Sequence, residues 1–401
     1  MSAQSGALIF MCLIHQIGGA FTKNPEDLGK GLSQPASDLI KRAFDGLDPA
    51  KLVDHHVHIA GIGVGGTNAF VHPKMRTWSH PFHRLKYKVY MSAAGVRSEL
   101  HADTDLITRL ARLVSGINNH GKHRILGFDK NYGRDGSVNL EKTEFYVPNE
   151  YVFQIAARHP DLFLANISVN PYRHDALAEL EQWAQRGARV VKWLPNAMGI
   201  DPSDPLCDPF YQKMRELNFI LLSHGGEEKA VEAEEDQKLG NPLLLRRALE
   251  HGVKVIVAHC AGLGKNEDLE SKNKQQLDNF DLFMRLMGEK RYEGLLFGEI
   301  SAMTQFNRSG KPLKTILARE DLHERLVNGS DYPLPAVNLL IRTAGLSKQG
   351  YITAAERNMV NEIYDYNPLL FDFVLKRTLK LPGTEKRLPT SVFITNNELS
   401  V

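Results

Sequence analysis

Cysteine is scarce in this 401-residue chain: three residues, Cys12, Cys207 and Cys260, odd in number and far apart. That excludes a disulfide framework and fits a reducing compartment, the cytoplasm. An excess of one charge is missing too. The 49 Lys and Arg nearly balance the 47 Asp and Glu, for a formal net charge of +2, so nothing electrostatic draws the chain to nucleic acid or to an anionic membrane. A small-molecule substrate is the expected partner. Long hydrophobic runs are lacking as well. Residues 7–14 are apolar, but no Lys or Arg precedes them and the run is too short to span a bilayer. The alternative for that segment is export or anchoring through residues 1–20. No internal repeat or low-complexity tract occurs.

What is present is alternation. Short β-prone runs at 51–59, 123–128, 163–169, 188–194, 219–224, 253–259, 295–300 and 325–329 are separated by stretches of helical periodicity such as 175–185, 209–217 and 242–251. This is the pattern of a parallel sheet with crossover helices. Eight strands predict a (β/α)8 barrel over 49–380, with an N-terminal extension (1–48) and a C-terminal tail (381–401). An insertion of about sixty residues follows the first strand, far longer than ordinary connections. Its Gly61, Gly63, Gly65 and Gly66 predict a mobile start, and Trp78, Phe82, Tyr87 and Tyr90 offer apolar walls. It reads either as a lid over the site or as a contact within a homo-oligomer. A second insertion, 227–240, is acidic and predicted to be partly solvated.

Chemistry on a barrel sits at the carboxyl ends of the strands, and polar residues stand at those ends here. Asp54-His55-His56-Val57-His58 closes the first strand, and the two-residue period puts His56 and His58 on one face, within reach of one ion. Lys192, His224, His259 and Asp331 close the fourth, fifth, sixth and eighth strands. Four imidazoles and a carboxylate on one rim suit zinc, iron, manganese or nickel, with zinc the first expectation. Cys260 beside His259 reads as a small buried thiol.

These residues resemble the amidohydrolase superfamily of metal-dependent barrel hydrolases, in particular its amidohydrolase-related (family 2) branch. The resemblance runs from about residue 50 to 375 and is carried by His56-Val57-His58, by His224 in Ser-His-Gly-Gly and by His259 in Ala-His-Cys-Ala-Gly. Asp331 in Gly-Ser-Asp-Tyr-Pro, residues 190–202 and Asn367-Pro368-Leu369-Leu370-Phe371 complete it. It implies that His56, His58 and Asp331 hold a first divalent ion, that hydroxide from an acidified water is the nucleophile, and that Asp331 shuttles its proton to the leaving group. In two-ion members a strand-four lysine carries a bridging carbamate while two histidines hold the second ion; Lys192, His224 and His259 fit those positions. The alternative for Lys192 is a plain ammonium that binds a substrate carboxylate or pairs with Glu299. The site then holds one ion on His56, His58, His224 and Asp331, with His259 acting around it.

The implied activity is hydrolysis of an amide, ester or lactone. The alternative is non-oxidative decarboxylation of the aminocarboxymuconate-semialdehyde decarboxylase type. Arg173, Trp193 and Glu227 are candidate substrate contacts. Each has a plainer reading, Arg173 as a partner of Asp175, and Glu227 and Glu228 as solvated acids at a helix start. Asp129 and Glu299 stand between supporting roles and ordinary rim polarity.

Overall fold

The computed structural model describes residues 23–231 and 233–399; the apolar run 7–14 and Cys12 lie outside the described residues. Eight short parallel strands form the centre: β1 (Val53–His58), β2 (Lys122–Leu126), β3 (Phe163–Asn166), β4 (Val190–Trp193), β5 (Ile220–His224), β6 (Lys254–Ala258), β7 (Leu296–Glu299) and β8 (Leu326–Val327). Each falls inside its predicted run or within a residue of it. β1, β2 and β3 pair in that order, as do β4 through β8. Two seams join the groups. Ile167 bridges Val191, with Lys192 N–H donating to Ile167 O at 2.7 Å; Val57 bridges Tyr332, with Asp331 N–H donating to His56 O at 2.7 Å and His58 N–H to Tyr332 O at 2.9 Å. The fold is a (β/α)8 barrel, and both seams run through predicted site residues.

The strand period of two sorts the core into two compartments. Inside the barrel, Val190, Ile220, Leu222, Ile256, Phe297 and Val327 pack together, with Leu399 from the tail among them. Outside it, Val191, Trp193, Leu221, Val255, Val257 and Leu296 pack with the helices in the large second cluster. The predicted helices form at Ala176–Gln185 and Asp208–Glu216, while the third opens as a 3-10 turn, Pro242–Leu245, before Arg246–Glu250. That opening follows from Pro242 at the first position and from the Asn241 side chain, which accepts the Leu243 N–H. Helix Gln34–Phe44 of the N-terminal extension packs against the helices Ala354–Tyr364 and Pro368–Thr378. Among the described residues, no helix is long and apolar enough to cross a membrane.

The long insertion covers the carboxyl end of β1. Tyr87, Tyr90, Met91 and Ala94, at helical spacing along Pro81–Ala93 and its C-cap, face the central cavity. Trp78 and Phe82 do not. They are 75% and 85% exposed, because Phe82 precedes Tyr87 by five residues, about 140° around the helix, and Trp78 lies outside it under the Arg84 guanidinium. The glycine-rich start is tied down rather than loose: the Asp103 carboxylate accepts from Ile62 N–H at 2.7 Å, Gly63 N–H at 3.2 Å and the Thr67 hydroxyl. Gly61 is needed there, since a Cβ would stand 2.6 Å from Asp103 Oδ2.

Candidate metal centre

The carboxyl rim of the barrel opens into a cavity of about 400 Å3 whose floor includes His56, His58, Lys192, His224, His259 and Asp331. Strand alternation explains part of the set: His56 and His58 share a face of β1, and Lys192 points inward as Trp193 points out. The seam between β1 and the segment after β8 explains another part. The bond from Asp331 N–H to His56 O fixes Asp331 across from the paired histidines. Asp54 reinforces it, its Oδ1 accepting from His56 N–H at 3.0 Å and Ser330 N–H at 2.9 Å. His259 and Asp331 adopt left-handed backbone, φ 56° and 59°, a strain of about 1–3 kcal/mol per residue that clusters at functional sites.

Three donors form a triangle. His56 Nε2 lies 3.1 Å from His58 Nε2 and 3.5 Å from Asp331 Oδ1, and His58 Nε2 is 3.3 Å from the same oxygen. Ligands at about 2.0–2.1 Å from a tetrahedral ion are about 3.3–3.4 Å apart, so these separations fit a divalent cation. Lys192 Nζ stands 3.2 Å from His56 Nε2, and His259 Nε2 stands 3.8 Å from Asp331 Oδ2. His224 is set further back. Its ring meets His259 edge-on at 5.3 Å, its Nδ1 is 3.5 Å from Glu228 Oε2, and its buried Nε2 has no partner.

Behind the triangle a buried carboxylate sets the tautomers. Glu299 Oε2 accepts from His56 Nδ1–H at 3.0 Å and from the Ser301 hydroxyl at 2.6 Å, while Ser301 Oγ accepts from His259 Nδ1–H at 2.7 Å. With Nδ1 protonated in both rings, each Nε2 offers a lone pair toward the cavity, the arrangement that supports metal-ligating histidines. Glu299 also accepts the Ser301 N–H. The Glu299 oxygens are engaged by His56 and Ser301, and among the described residues Lys192 forms no ion pair with Glu299. Burial pushes the Lys192 amine down to about 8, against the pull of Asp331 and Glu299. Burial, then the Lys192 charge, drives His224 to about 3, and burial holds His56 and His259 well below the usual imidazole range. All three rings are neutral near pH 7, as ligands must be. Burial raises Glu299 to about 7, opposed by the Ser301 hydrogen bonds.

The predicted substrate contacts fare differently. Trp193 is fully buried, its indole N–H donating to Val169 O at 2.9 Å and its rings packed on Phe210 and Tyr211, outside the barrel. Arg173 is held away from the cavity by a bidentate pair with Asp175, both bonds 2.8 Å, and by Asp129 at 3.1 Å. Glu227 pairs with Lys229 at 3.3 Å and does not line the cavity. Its neighbour Glu228 does: it turns inward, 8% exposed, and accepts the N–H groups of Ala230 and Val231. Asp129 serves the loops, accepting from Asn170 N–H and Lys130 N–H. Cys207 and Cys260 are buried free thiols. Sequence reasoning missed Arg308 and Ser301. Nothing in their spacing marks either, since both lie in the irregular segment after β7.

The sequence profile of one family, described as amidohydrolase, matches residues 130–344. No curated protein matches the chain. Among solved structures, an uncharacterised TIM-barrel protein from Bordetella bronchiseptica is similar at 15% identity, covering 78% of this chain and 99% of its own, with a TM-score of 0.46. A 5-carboxyvanillate decarboxylase from Novosphingobium aromaticivorans, solved with manganese, is 11% identical over 72% of this chain and 90% of its own, TM-score 0.42. A 4-oxalomesaconate hydratase from Rhodopseudomonas palustris is 12% identical over 70% and 81%, TM-score 0.37.

Proposed function

This chain belongs to the amidohydrolase family, and from that premise we propose that it is a metal-dependent hydrolase of an amide, ester or lactone bond in a small molecule. The observation that carries the reading is the triangle of His56 Nε2, His58 Nε2 and Asp331 Oδ1, with sides of 3.1, 3.3 and 3.5 Å. A divalent ion there, zinc in our reading, supplies Lewis acidity that brings the pKa of a water toward neutrality. The residues do the rest. His56 and His58 would hold the ion through Nε2, and Glu299 keeps His56 in the required tautomer. Asp331, with Oδ1 in the triangle and Oδ2 facing His259, takes the proton of the attacking water and returns it to the leaving group. The apolar walls from the insertion keep bulk water from the reacting bond. In the two-ion form of the proposal Lys192 would carry a carbon dioxide adduct, and His224, whose Nε2 has no partner, would join His259 in holding the second ion. The two buried free thiols suit the cytoplasm.

The test is metal analysis and activity on the same preparations. We expect at least one equivalent of divalent ion, lost in a His56→Ala/His58→Ala protein together with hydrolysis of a panel of amides, esters and lactones. Less than about half an equivalent in the wild type, with activity unchanged in the variant, overturns the reading. Carbon dioxide release without uptake of water oxygen moves it to decarboxylation. A carbonyl signal from 13C-bicarbonate that is absent in Lys192→Gln separates two ions from one.

A further inference from the structure

Two cations outside the metal centre line the cavity, Arg308 and Lys229. Arg308 lines it, is 8% exposed, and follows β7 in a turn closed by the bond from its own N–H to Gln305 O at 2.9 Å. Its Nη1 donates to Gln305 Oε1 at 2.9 Å, and its buried Nε has no partner. Among the described residues no carboxylate forms an ion pair with it. The acids that act on it from longer range are Asp331, Glu228, Glu299 and Glu227. Asp331 belongs to the donor triangle, Glu299 serves His56 and Ser301, Glu228 is held by Ala230 and Val231, and Glu227 pairs with Lys229. The other cation on the wall, Lys229, is 62% exposed at its side chain and is engaged by that Glu227 pair. A guanidinium removed from water without a counter-charge is strongly disfavoured unless a ligand supplies one. The rest of the cavity lining is largely apolar, with Phe306, Leu263, Leu340, Phe128, Phe145 and Met91 in it.

We propose that Arg308 is the anion-binding residue of this pocket and that the substrate is an apolar monocarboxylate, its carboxylate on the guanidinium fork beside Gln305 and its hydrocarbon body against those walls. A planar fork matches a carboxylate, and outside the metal centre Arg308 is the cation of the cavity wall that forms no ion pair among the described residues. The placement of the hydrolysed bond at the donor triangle rests on the function proposed above; the carboxylate site itself does not.

Calorimetric titration of the metal-loaded protein with 3-phenylpropionate, 3-phenylpropionamide and 2-phenylethylphosphonate tests the assignment, with metal content measured on every sample. We expect the carboxylate to bind about tenfold or more tighter than the amide. That preference should vanish in Arg308→Gln and persist in part in Arg308→Lys, both with wild-type metal content. Equal affinity for carboxylate and amide, no binding of the carboxylate at millimolar concentration, or a tighter hold on the phosphonate overturns the assignment. So does a preference that survives in Arg308→Gln, because the carboxylate then lies on the metal or on Lys192. A protein that binds no metal yet shows the Arg308-dependent preference supports this inference and overturns the hydrolase reading alone.

Discussion

Glu299 Oε2 and His56 Nδ1 meet at 3.0 Å in a fully buried contact, and that contact decides which imidazole nitrogen faces the donor triangle. In Glu299→Gln the amide keeps the volume but loses the charge and one of the two equivalent acceptors shared by His56 and Ser301. Metal affinity is expected to fall about 10–100-fold, read by competition with a chelator of known affinity. Unchanged affinity would mean that packing alone orients His56.

Gly329 lies where that network leaves no room. A Cβ there would come 2.7 Å from the His56 Cβ and would press on Glu299 Oε1, and the Gly329 carbonyl is tethered by buried Lys376 Nζ at 2.6 Å. Gly329→Ala should therefore displace Glu299 and His56 instead of the backbone. We expect a loss of about 1–3 kcal/mol in urea denaturation of the metal-free protein, the range for overpacked cores. Metal binding should weaken in parallel, and a variant as stable as the wild type with full metal affinity refutes the tethering argument.

Much of this was legible because strands are simple. Most runs of β-branched and aliphatic residues carry a polar residue at or near the carboxyl end, and a period of two orients every side chain once one is known. The same rule contains the correction of Trp193: if Lys192 faces the barrel interior, its neighbour must face the helices, where the indole packs on Phe210 and Tyr211. Loops offer no such rule. Glu227 and Glu228 are chemically identical neighbours, and only the turn that brings Ala230 and Val231 back onto Glu228 selects which one enters the cavity. Arg308 looks like any surface arginine until tertiary packing buries it. Trp78, Phe82, Tyr87 and Tyr90 were all expected on the wall because they are large and apolar; Tyr87 and Tyr90 line the cavity, whereas helix phase turns Phe82 away and Trp78 precedes the helix.

Arg173 is predicted to be structural. It answers the charge of Asp129, itself 2% exposed, and Asp175 holds the other side of its guanidinium. Removing one partner of a buried pair leaves the other charge uncompensated. Arg173→Ala is expected to lose about 3 kcal/mol in thermal or urea unfolding, with metal content and 3-phenylpropionate affinity as in the wild type. Weakened ligand binding at unchanged stability would return Arg173 to substrate recognition.

Acid sensitivity should come partly from two histidines remote from the rim. His55 on β1 and His123 on β2 are buried, and His55 Nε2 and His123 Nδ1 lack partners. Burial, with the Arg124 charge, lowers His55 to about 3; burial, opposed by Asp54, lowers His123 to about 4. Both begin near 6.5 in the unfolded chain. Below that value the unfolded state takes up protons that the folded state refuses, so stability is complete above about pH 6.5 and declines as the pH falls toward 4. His123 alone should contribute on the order of 2 kcal/mol to that decline by about pH 4.5. His224 acts in the same direction, so the informative quantity is the difference between proteins and not the total slope. Urea unfolding of metal-free wild type and His123→Phe at about pH 7.5 and 4.5 isolates it: the gap at the higher pH reports packing, and the change in the gap reports the proton. The variant should lose less stability on acidification. Curves that fall in parallel would mean that His123 titrates alike in the folded and unfolded chain, and that the buried imidazole finds a proton partner in the folded protein.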